Sequence, residues 1–294
     1  ENDYLVLDPD SRLTQLGVLP LVPDRNYRFF NSRGKQGYPV KGSISELANL
    51  WLDNLFAGSV FGHGAFSYPQ VWLDTQELAV ARRLRERLCA AGARRVITLN
   101  LGVGGNMRKR VPGDFEVQLV LSLLQEPETV VLLDMGFGDE ELERSQAILT
   151  AARAVGVATH TLTFVDLDQS EQLCAPGAVD RTVDRAFDST SVCASGGNSF
   201  ERLFGIHCDV GQVAALIACS DEFIGYDSAC QHIGAASGIR TFTVFAGTNN
   251  ARFIRRWHAC GPNTSEIVYV DTLSREHEVD TLELIERLQD LRLQ

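Results

Sequence analysis

The stretch EFIGYDSACQHIGAASGIRTFTVFAGT, residues 222–248, decides how this chain folds. It starts with an apolar run, passes an acidic and hydroxyl turn into a helix-like segment rich in small residues, and returns to a second apolar run. This order predicts two parallel strands joined by a crossover helix. Because parallel strands end at the same edge of their sheet, we expect Asp227, Ser228 and Thr248 to lie together at that edge.

The turn before the helix is suited to bind an anion. Ser228 can cap the helix, which leaves the backbone N–H groups of Ala229, Cys230 and Gln231 available to a phosphate. The partial positive charge of a helix amino terminus favours the same group. The sequence therefore predicts a phosphate-binding turn at this point.

The alternation of apolar runs and helical patterns extends through the chain from residue 96 and predicts an α/β fold with a parallel sheet. The predicted strands are Val96–Leu101, Thr129–Asp134, Ala158–Phe164, Glu222–Gly225, Thr241–Phe245 and Ile267–Val270, and the predicted helices are Phe115–Leu124, Asp139–Val155, Val210–Cys219, Ala229–Ser237 and Thr281–Leu291. Residues 174–204, rich in Ser, Gly and Asp, interrupt the pattern. We interpret them as a functional lid or an insertion, with disorder as the alternative.

The first 90 residues show a more mixed pattern. Tyr4–Asp8 is predicted to be a strand, and Ser43–Phe56 a helix that begins with a capping box of Ser43 and Glu46. A further helix at Gln76–Ala91 is predicted to connect to a second domain. The chain is long enough for two domains of ordinary size.

A second candidate site is the glycine-rich loop at 100–105, NLGVGG, which follows a predicted strand. Glycine lets backbone N–H groups approach an anion closely, and Gly104, Gly105 and the nearby Lys109 are the candidates to contact it. A plain tight turn is the alternative. The loop is not the dinucleotide pattern G-x-G-x-x-G, because the third glycine is absent.

Composition excludes several classes of protein. The formal charge of −11 and the pI near 5.0 exclude a sequence-independent nucleic-acid binder, so a phosphate site must be local. The seven cysteines are scattered and form no C-x-x-C pair, which argues against a zinc knuckle or a disulfide framework and favours the cytoplasm. No apolar run of about 18 residues is present, so at most peripheral contact with the inner membrane is expected.

The deciding stretch resembles the donor-binding motif of glycosyltransferase family nine, the heptosyltransferase group. The family pattern is roughly Asp-Ser/Thr-Gly-x-x-His-x-Ala-Ala, followed by an apolar strand that ends in Phe-Gly-x-Thr. The positions that match are Asp227, Ser228, His232, Ala235, Ala236, Phe245, Gly247 and Thr248. The chain departs from the pattern at Ala229, where the family has Gly, and at Ala246.

The resemblance covers roughly residues 96–272. In the family's first donor loop, which runs Asn-Pro-Gly and then Lys-x-Trp-Pro, the matching residues are Asn100, Gly102, Lys109 and Pro112. The acidic residue that holds the ribose in the family would be Glu140, and the nucleobase would lie near Ile206–Cys208. The donor-binding residues implied are Gly104, Gly105, Lys109, Glu140, Asp227, Ser228, Ala229, His232 and Thr248.

The resemblance implies a GT-B fold, with two Rossmann-like domains whose parallel sheets face a cleft. Residues 1–90 would be an incomplete acceptor-side domain and residues 91–294 the donor-binding domain. The implied activity is inverting, metal-independent transfer of a sugar, with heptose as one candidate, from a nucleotide-diphosphate sugar such as ADP-heptose. The acceptor would be a saccharide or lipid-linked molecule, as in lipopolysaccharide biosynthesis. No cofactor or metal is expected, because Lys109 would offset the phosphate charge.

Inversion requires a carboxylate that takes the proton of the acceptor hydroxyl. In the family this base lies in a Gly-Asp loop after the first strand, and no such loop precedes Tyr4, so we expect the base upstream of residue 1. Asp8 and Asp10 are the secondary candidates. The candidates to contact the acceptor are Ser11, Arg12 and Gln15, with an ordinary strand-to-helix turn as the alternative.

Two other functions are compatible with the sequence. A GT-B nucleotide-sugar epimerase or hydrolase would act on the donor without an acceptor, but the additional carboxylates and basic residues it needs are not located. A non-catalytic nucleotide-sugar-binding protein would need no base. Products formed from the donor alone distinguish the first alternative from a transferase.

Overall fold

In the computed structural model the chain divides into two compact units. One comprises Glu1–Pro69 with Asn250–Cys260, and the other comprises Gln70–Asn249 with Gly261–Gln294. The structure describes residues 4–8, 22–30, 42–57, 68–169, 201–273 and 279–294. The helix predicted at Gln76–Ala91 falls in the larger unit, while the proposed domain boundary at residue 90 stays a prediction.

The larger unit is built on a parallel sheet. In the described residues its strands are β3 (Arg95–Asn100), β4 (Thr129–Asp134), β5 (Thr159–Thr163), β6 (Leu203–His207), β7 (Glu222–Tyr226), β8 (Arg240–Phe245) and β9 (Ser265–Tyr269). These seven strands lie in the order β5-β6-β4-β3-β7-β8-β9, and every neighbouring pair is parallel. The predicted α/β fold is therefore confirmed, and each strand predicted in this unit is present.

Helices cover both faces of this sheet. They are α2 (Thr75–Ala90), α3 (Phe115–Leu123), α4 (Asp139–Ala154), α5 (Asp166–Gln169), α6 (Val210–Ala218), α7 (Ala229–Ala236) and α9 (Thr281–Leu293). One core joins the sheet to α3, α4 and α9, and another joins it to α2, α5 and α6. All six residues of β4 are buried, as expected for a central parallel strand covered on both faces.

One strand of this sheet was missed by the sequence pattern. β6 lies at the end of the segment interpreted as a lid or insertion, and its apolar run is interrupted by Gly205. A Cβ atom at Gly205 would lie 2.6 Å from Met135 Sδ and 2.8 Å from Leu149 Cδ1, so glycine allows close packing here. The glycine that this packing requires interrupts the apolar run, and for this reason the sequence pattern did not predict β6.

In the smaller unit, β1 (Val6–Asp8) pairs in parallel with β2 (Tyr27–Phe29), and the helices are α1 (Ile44–Leu55) and α8 (Ala251–Trp257). The predicted capping box is confirmed: Glu46 N donates to Ser43 Oγ at 3.2 Å, and Ser43 N donates to Glu46 Oε2 at 2.6 Å. This cap orients α1 so that Leu47 and Trp51 pack on Phe30. Helix α8 was not predicted.

Several predicted features lie outside the described residues. They are the candidate base Asp10, the candidate acceptor contacts Ser11, Arg12 and Gln15, and most of the segment at 174–204. In the part of the chain that the structure describes, no helix is long and apolar enough to cross a membrane.

Candidate functional site

The predicted site residues of the larger unit lie in loops at the carboxyl ends of β3, β4, β7 and β8. These four strands are adjacent in the sheet, and Asn100 at the end of β3 pairs in register with Asp134 of β4 and Gly225 of β7. The carboxyl edge of an open parallel sheet is where such folds bind ligands. The fold thus brings together residues that are more than 100 positions apart in the chain.

Buried polar groups connect the central strands at this edge. Asn100 Nδ2 donates to Asp134 Oδ2 at 2.6 Å, while Ser228 Oγ lies 3.5 Å from Asn100 Oδ1. Asp134 also accepts a hydrogen bond from Gly136 N at 3.1 Å. Burial raises the pKa of the Asp134 carboxyl, although the bonds from Gly136 and Asn100 oppose that shift. This network supports the floor of the site.

The glycine-rich loop after β3 has an open backbone in the left-handed conformation that glycine adopts without strain. Gly104 and Gly105 are exposed and have φ angles of +59° and +77°. A Cβ atom added at either position would meet no heavy atom of the described residues within 4 Å. Residues with a side chain rarely adopt two such conformations in succession. The loop therefore has space beside its backbone, as an approaching phosphate requires.

Lys109 follows that loop, in a short 3-10 helix at Met107–Lys109, and contacts Asp227. Its Nζ lies 2.7 Å from Asp227 Oδ2 and donates to the Asp227 backbone carbonyl at 2.9 Å. Asp227 is 7% exposed, and its Oδ1 accepts a hydrogen bond from Gln231 Nε2 at 2.8 Å. Lys109, the residue predicted to contact phosphate, is therefore paired with Asp227, another predicted donor-binding residue.

Helix α7 begins at the same point. Ser228 occupies the N-cap position, as predicted, but its side chain makes no capping hydrogen bond and lies instead towards Asn100. Ala229 is exposed, and His232 is half-buried one turn further along the helix. The Cys230 thiol is buried, which raises its pKa to about 12 and keeps it protonated. The backbone of this first turn, rather than the thiol, is suited to bind an anion.

The loop after β8 packs on the loop after β3. A Cβ atom at Gly247, whose φ is +72°, would lie only 2.0 Å from the carbonyl oxygen of Arg108. Gly247 N donates to Thr272 Oγ1 at 2.9 Å, which ties this loop to the one after β9. Thr248, half-buried, follows directly. Glycine at 247 is thus required for the close approach that places Thr248 beside the loop of Lys109.

Sequence reasoning singled out Glu140, but its neighbour Glu141 makes the contacts within the site. Glu140 is exposed in the first turn of α4. Glu141 accepts hydrogen bonds from Val103 N at 3.1 Å and from Phe137 N at 3.0 Å. It therefore joins the loops after β3 and β4. The spacing of residues after β4 could not show which of two adjacent carboxylates turns inward.

A buried polar cluster lies beneath the loop of Lys109. Tyr226 OH donates to Glu116 Oε1 at 3.1 Å and accepts from Val111 N at 3.2 Å. Arg110 Nη1 lies 3.4 Å from Glu116 Oε1. Burial raises the pKa of Glu116 more than the neighbouring Arg110 and Arg144 guanidinium groups lower it. These residues hold in place the backbone that directly follows Lys109, at Arg110 and Val111.

In the smaller unit, the candidate base Asp8 ends β1. Its side chain is buried, and it accepts a hydrogen bond from Tyr27 OH. Among the described residues, no group of three or more His, Cys, Asp or Glu side chains is arranged to hold a metal ion.

Residues 207–282 match the sequence model of glycosyltransferase family 9 (heptosyltransferase). The match contains the stretch 222–248, and the resemblance to glycosyltransferase family nine is thereby confirmed. A comparison with curated protein sequences finds no match.

Solved structures of a family 9 glycosyl transferase and of heptosyltransferases resemble the chain in fold. A family 9 glycosyl transferase from Veillonella parvula is 11% identical with a TM-score of 0.54, and the match covers 92% of this chain and 64% of that one. E. coli ADP-heptose lps heptosyltransferase II is 13% identical with a TM-score of 0.52, over 98% of this chain and 76% of that one. An E. coli heptosyltransferase, WaaC, solved with ADP, is 15% identical with a TM-score of 0.50, over 99% and 73%.

These likenesses define the class of fold. At 11–15% identity they establish an α/β fold of the GT-B glycosyltransferase type, as predicted. More particularly, residues 207–282, which contain β7, α7 and β8 of the candidate site, carry the sequence pattern of glycosyltransferase family nine. The chain spans 64% of the length of the Veillonella parvula protein.

Proposed function

We propose that this protein is a glycosyltransferase that moves a sugar from a nucleotide-diphosphate sugar to a saccharide or lipid-linked acceptor. The observation that carries the proposal is the position of Lys109 Nζ, 2.9 Å from the carbonyl oxygen of the residue that precedes the α7 N-cap. A cation and a helix amino terminus thus lie together where a diphosphate would bind. The family match over the residues of that helix supports the assignment.

The magnitudes support a role for both groups. A helix amino terminus stabilises an anion by roughly 0.3–1 kcal/mol, and by up to about 2 kcal/mol when it is partly buried. A hydrogen bond from an ammonium group adds roughly 1.5–3 kcal/mol. Lys109 has three N–H donors, and two contact Asp227, so within the described part of the chain one donor can turn towards a phosphate. The lysine would then offset the leaving-group charge, and we propose transfer without a metal.

The proposed donor-binding residues are Gly104, Gly105, Lys109, Glu140, Asp227, Ser228, Ala229, His232 and Thr248. The E. coli heptosyltransferase was solved with ADP and with ADP-2-deoxy-2-fluoro heptose, and on this ground we propose ADP-heptose as the first donor to test. We propose inversion at the anomeric carbon, and the cytoplasm as the compartment. For the base we assign no residue, because the Asp8 carboxylate is buried and engaged by Tyr27.

Calorimetric titration with ADP, GDP, UDP and TDP tests donor binding. We expect one of the four to bind in the presence of EDTA, and failure of all four to bind the folded protein would overturn the proposal. Product analysis then separates the alternatives. Release or rearrangement of the sugar in the absence of any acceptor would indicate an epimerase or hydrolase, and binding without turnover on any acceptor would indicate a binding protein.

A further inference from the structure

Phe137 presents an exposed aromatic side chain beside the candidate site. It lies in the loop directly after β4, between Gly136 and Gly138, and is 95% exposed. Single apolar residues on a surface need no explanation by themselves. Phe137 differs from such residues because it follows a strand of the candidate site and its loop is held by hydrogen bonds.

The backbone of the Phe137 loop is held on both sides. Phe137 N donates to Glu141 Oε2 at 3.0 Å, and Gly136 N donates to Asp134 Oδ1 at 3.1 Å. Gly136 and Gly138 have φ angles of +79° and +88°, which other residues rarely adopt. Because this backbone is fixed, a ligand that contacts the ring has to restrict only the side-chain rotamers of Phe137, which lowers the entropic cost of binding.

The same loop is fixed relative to the glycine-rich loop. Glu141 accepts from Phe137 N through one oxygen and from Val103 N, at 3.1 Å, through the other. A Cβ atom at Gly136 would lie 2.6 Å from Glu141 Cβ, so the loop and α4 are in close contact. Phe137 is thus held at a set distance from the residues proposed to bind the diphosphate.

The strand order indicates the direction in which a nucleoside would extend. Beyond β7, on the side of β8, the Gly247 backbone packs against Arg108 in the loop after β3. The loops after β3 and β8 thus meet at this end of the candidate site. On the other side lie β4 and then β6. With strands about 4.8 Å apart, β7 and β6 are separated by about 14 Å, comparable with an extended nucleoside diphosphate. Phe137, after β4, lies along this path.

We propose that Phe137 stacks on the nucleobase of the donor and contributes much of the nucleoside's affinity. This assignment rests on the proposed function, since it takes the diphosphate to lie at Lys109. A phenyl ring stacks on the face of any base, so Phe137 strengthens binding of ADP, GDP and UDP without reading their hydrogen-bonding edges. The larger purine face gains more from it than the pyrimidine face.

The test compares Phe137→Ala, Phe137→Trp and a matched control, Val155→Ala, which removes another exposed apolar side chain from the far end of α4. Dissociation constants are measured for ADP, GDP and UDP by calorimetry, and for inorganic pyrophosphate by competition. We expect Phe137→Ala to weaken ADP binding about tenfold or more while pyrophosphate binding is unchanged. Phe137→Trp and Val155→Ala should bind ADP like the wild type or, for Trp, more tightly.

Two results would overturn the assignment of Phe137 and leave the proposed function standing. One is an ADP affinity of Phe137→Ala within about twofold of the wild-type value, well short of the effect expected for a lost stacking contact. The other is an equal loss for ADP and pyrophosphate, which would indicate a distorted loop. If the wild-type protein binds none of ADP, GDP, UDP and TDP, the proposed function fails first and this assignment fails with it.

Discussion

Lys109 and Asp227 form an ion pair that joins the loop after β3 to the turn after β7, with Nζ 2.7 Å from Oδ2 and 2.9 Å from the Asp227 carbonyl oxygen. The lysine side chain is 27% exposed and the aspartate side chain 10%. A donor diphosphate that binds here would therefore lie beside a lysine whose positive charge is already paired with the Asp227 carboxylate. Binding would require the ammonium group to be shared between phosphate and Asp227, or transferred to the phosphate.

Lys109→Ala should weaken nucleoside diphosphate binding by about 1.5–3 kcal/mol, the range for a hydrogen bond from a charged group. Calorimetric titration measures this loss. Arg83→Ala is the matched control, because Arg83 lies in the same unit, pairs with Asp168 and is half-exposed. An equal loss of affinity in both variants, or a fall in melting temperature with no loss of affinity in Lys109→Ala, would assign Lys109 a structural role.

A double-mutant cycle should show that Lys109 and Asp227 depend on each other for stability. Lys109→Met removes the cation beside a buried carboxylate that retains its hydrogen bond from Gln231, so we expect it to destabilise more than the double variant Lys109→Met/Asp227→Asn. The coupling should be about 0.5–3 kcal/mol by urea unfolding. The exposed pair Arg83–Asp168 should give about 0–1 kcal/mol in the same cycle. Additive effects at Lys109 and Asp227 would contradict the pairing.

Gly247→Ala should distort the site because its Cβ atom would collide with the Arg108 carbonyl oxygen at 2.0 Å. Gly113→Ala is the control, since Gly113 has a similar φ, +77° against +72°, but a Cβ atom there would meet no described residue within 4 Å. Backbone strain common to both costs about 1–2 kcal/mol. We expect Gly247→Ala to lose more stability than the control in urea unfolding, and to lose nucleotide affinity as well. Equal unfolding free energies would show that the two loops separate at little cost.

The pH dependence of stability should reveal the buried carboxyl of Asp134. Its pKa is raised in the folded protein, chiefly by burial, so the folded state binds its proton more tightly than the unfolded state does. Stability from this group is then present at low pH and lost as pH rises through the folded pKa. Asp134→Asn lacks that titration. The melting temperature of the variant minus that of the wild type should therefore increase from about pH 4 to about pH 8, and a decrease would show that the pKa is lowered instead.

The sequence allowed the carboxyl edge of the sheet to be located because an apolar run is followed by a turn of small and polar residues, and then by a helical pattern, at both Asn100 and Asp227. It could not show that Lys109 pairs with Asp227, since that contact depends on how two loops 118 positions apart fold towards each other. Nor could it show that Glu141 accepts hydrogen bonds from the loops after β3 and β4, because those contacts depend on the backbone of Gly136 and Gly138, whose φ angles are positive just before α4.

The Ser228 side chain shows the same limit at a single position. Its N-cap place was predicted from the turn chemistry, and the structure has it there. The capping bond itself is not made, because the hydroxyl lies 3.5 Å from Asn100 Oδ1, on a neighbouring strand. Tertiary contacts at the sheet edge thus override the local preference of serine for the helix backbone.

Asp227→Asn should lower sugar transfer by more than it lowers nucleoside diphosphate affinity. An aspartate that faced the phosphates would repel them, whereas a carboxylate beside Lys109 can accept hydrogen bonds from the hydroxyl groups of the donor sugar. Removing its charge also releases Lys109 from the ion pair, so the affinity for ADP should be unchanged or higher. The measurements are the ADP dissociation constant and the turnover rate with the nucleotide sugar, each compared with Asp168→Asn, which removes an exposed paired carboxylate elsewhere. If the Asp227 variant loses ADP binding as strongly as it loses turnover, the carboxylate supports the diphosphate site and does not contact the sugar.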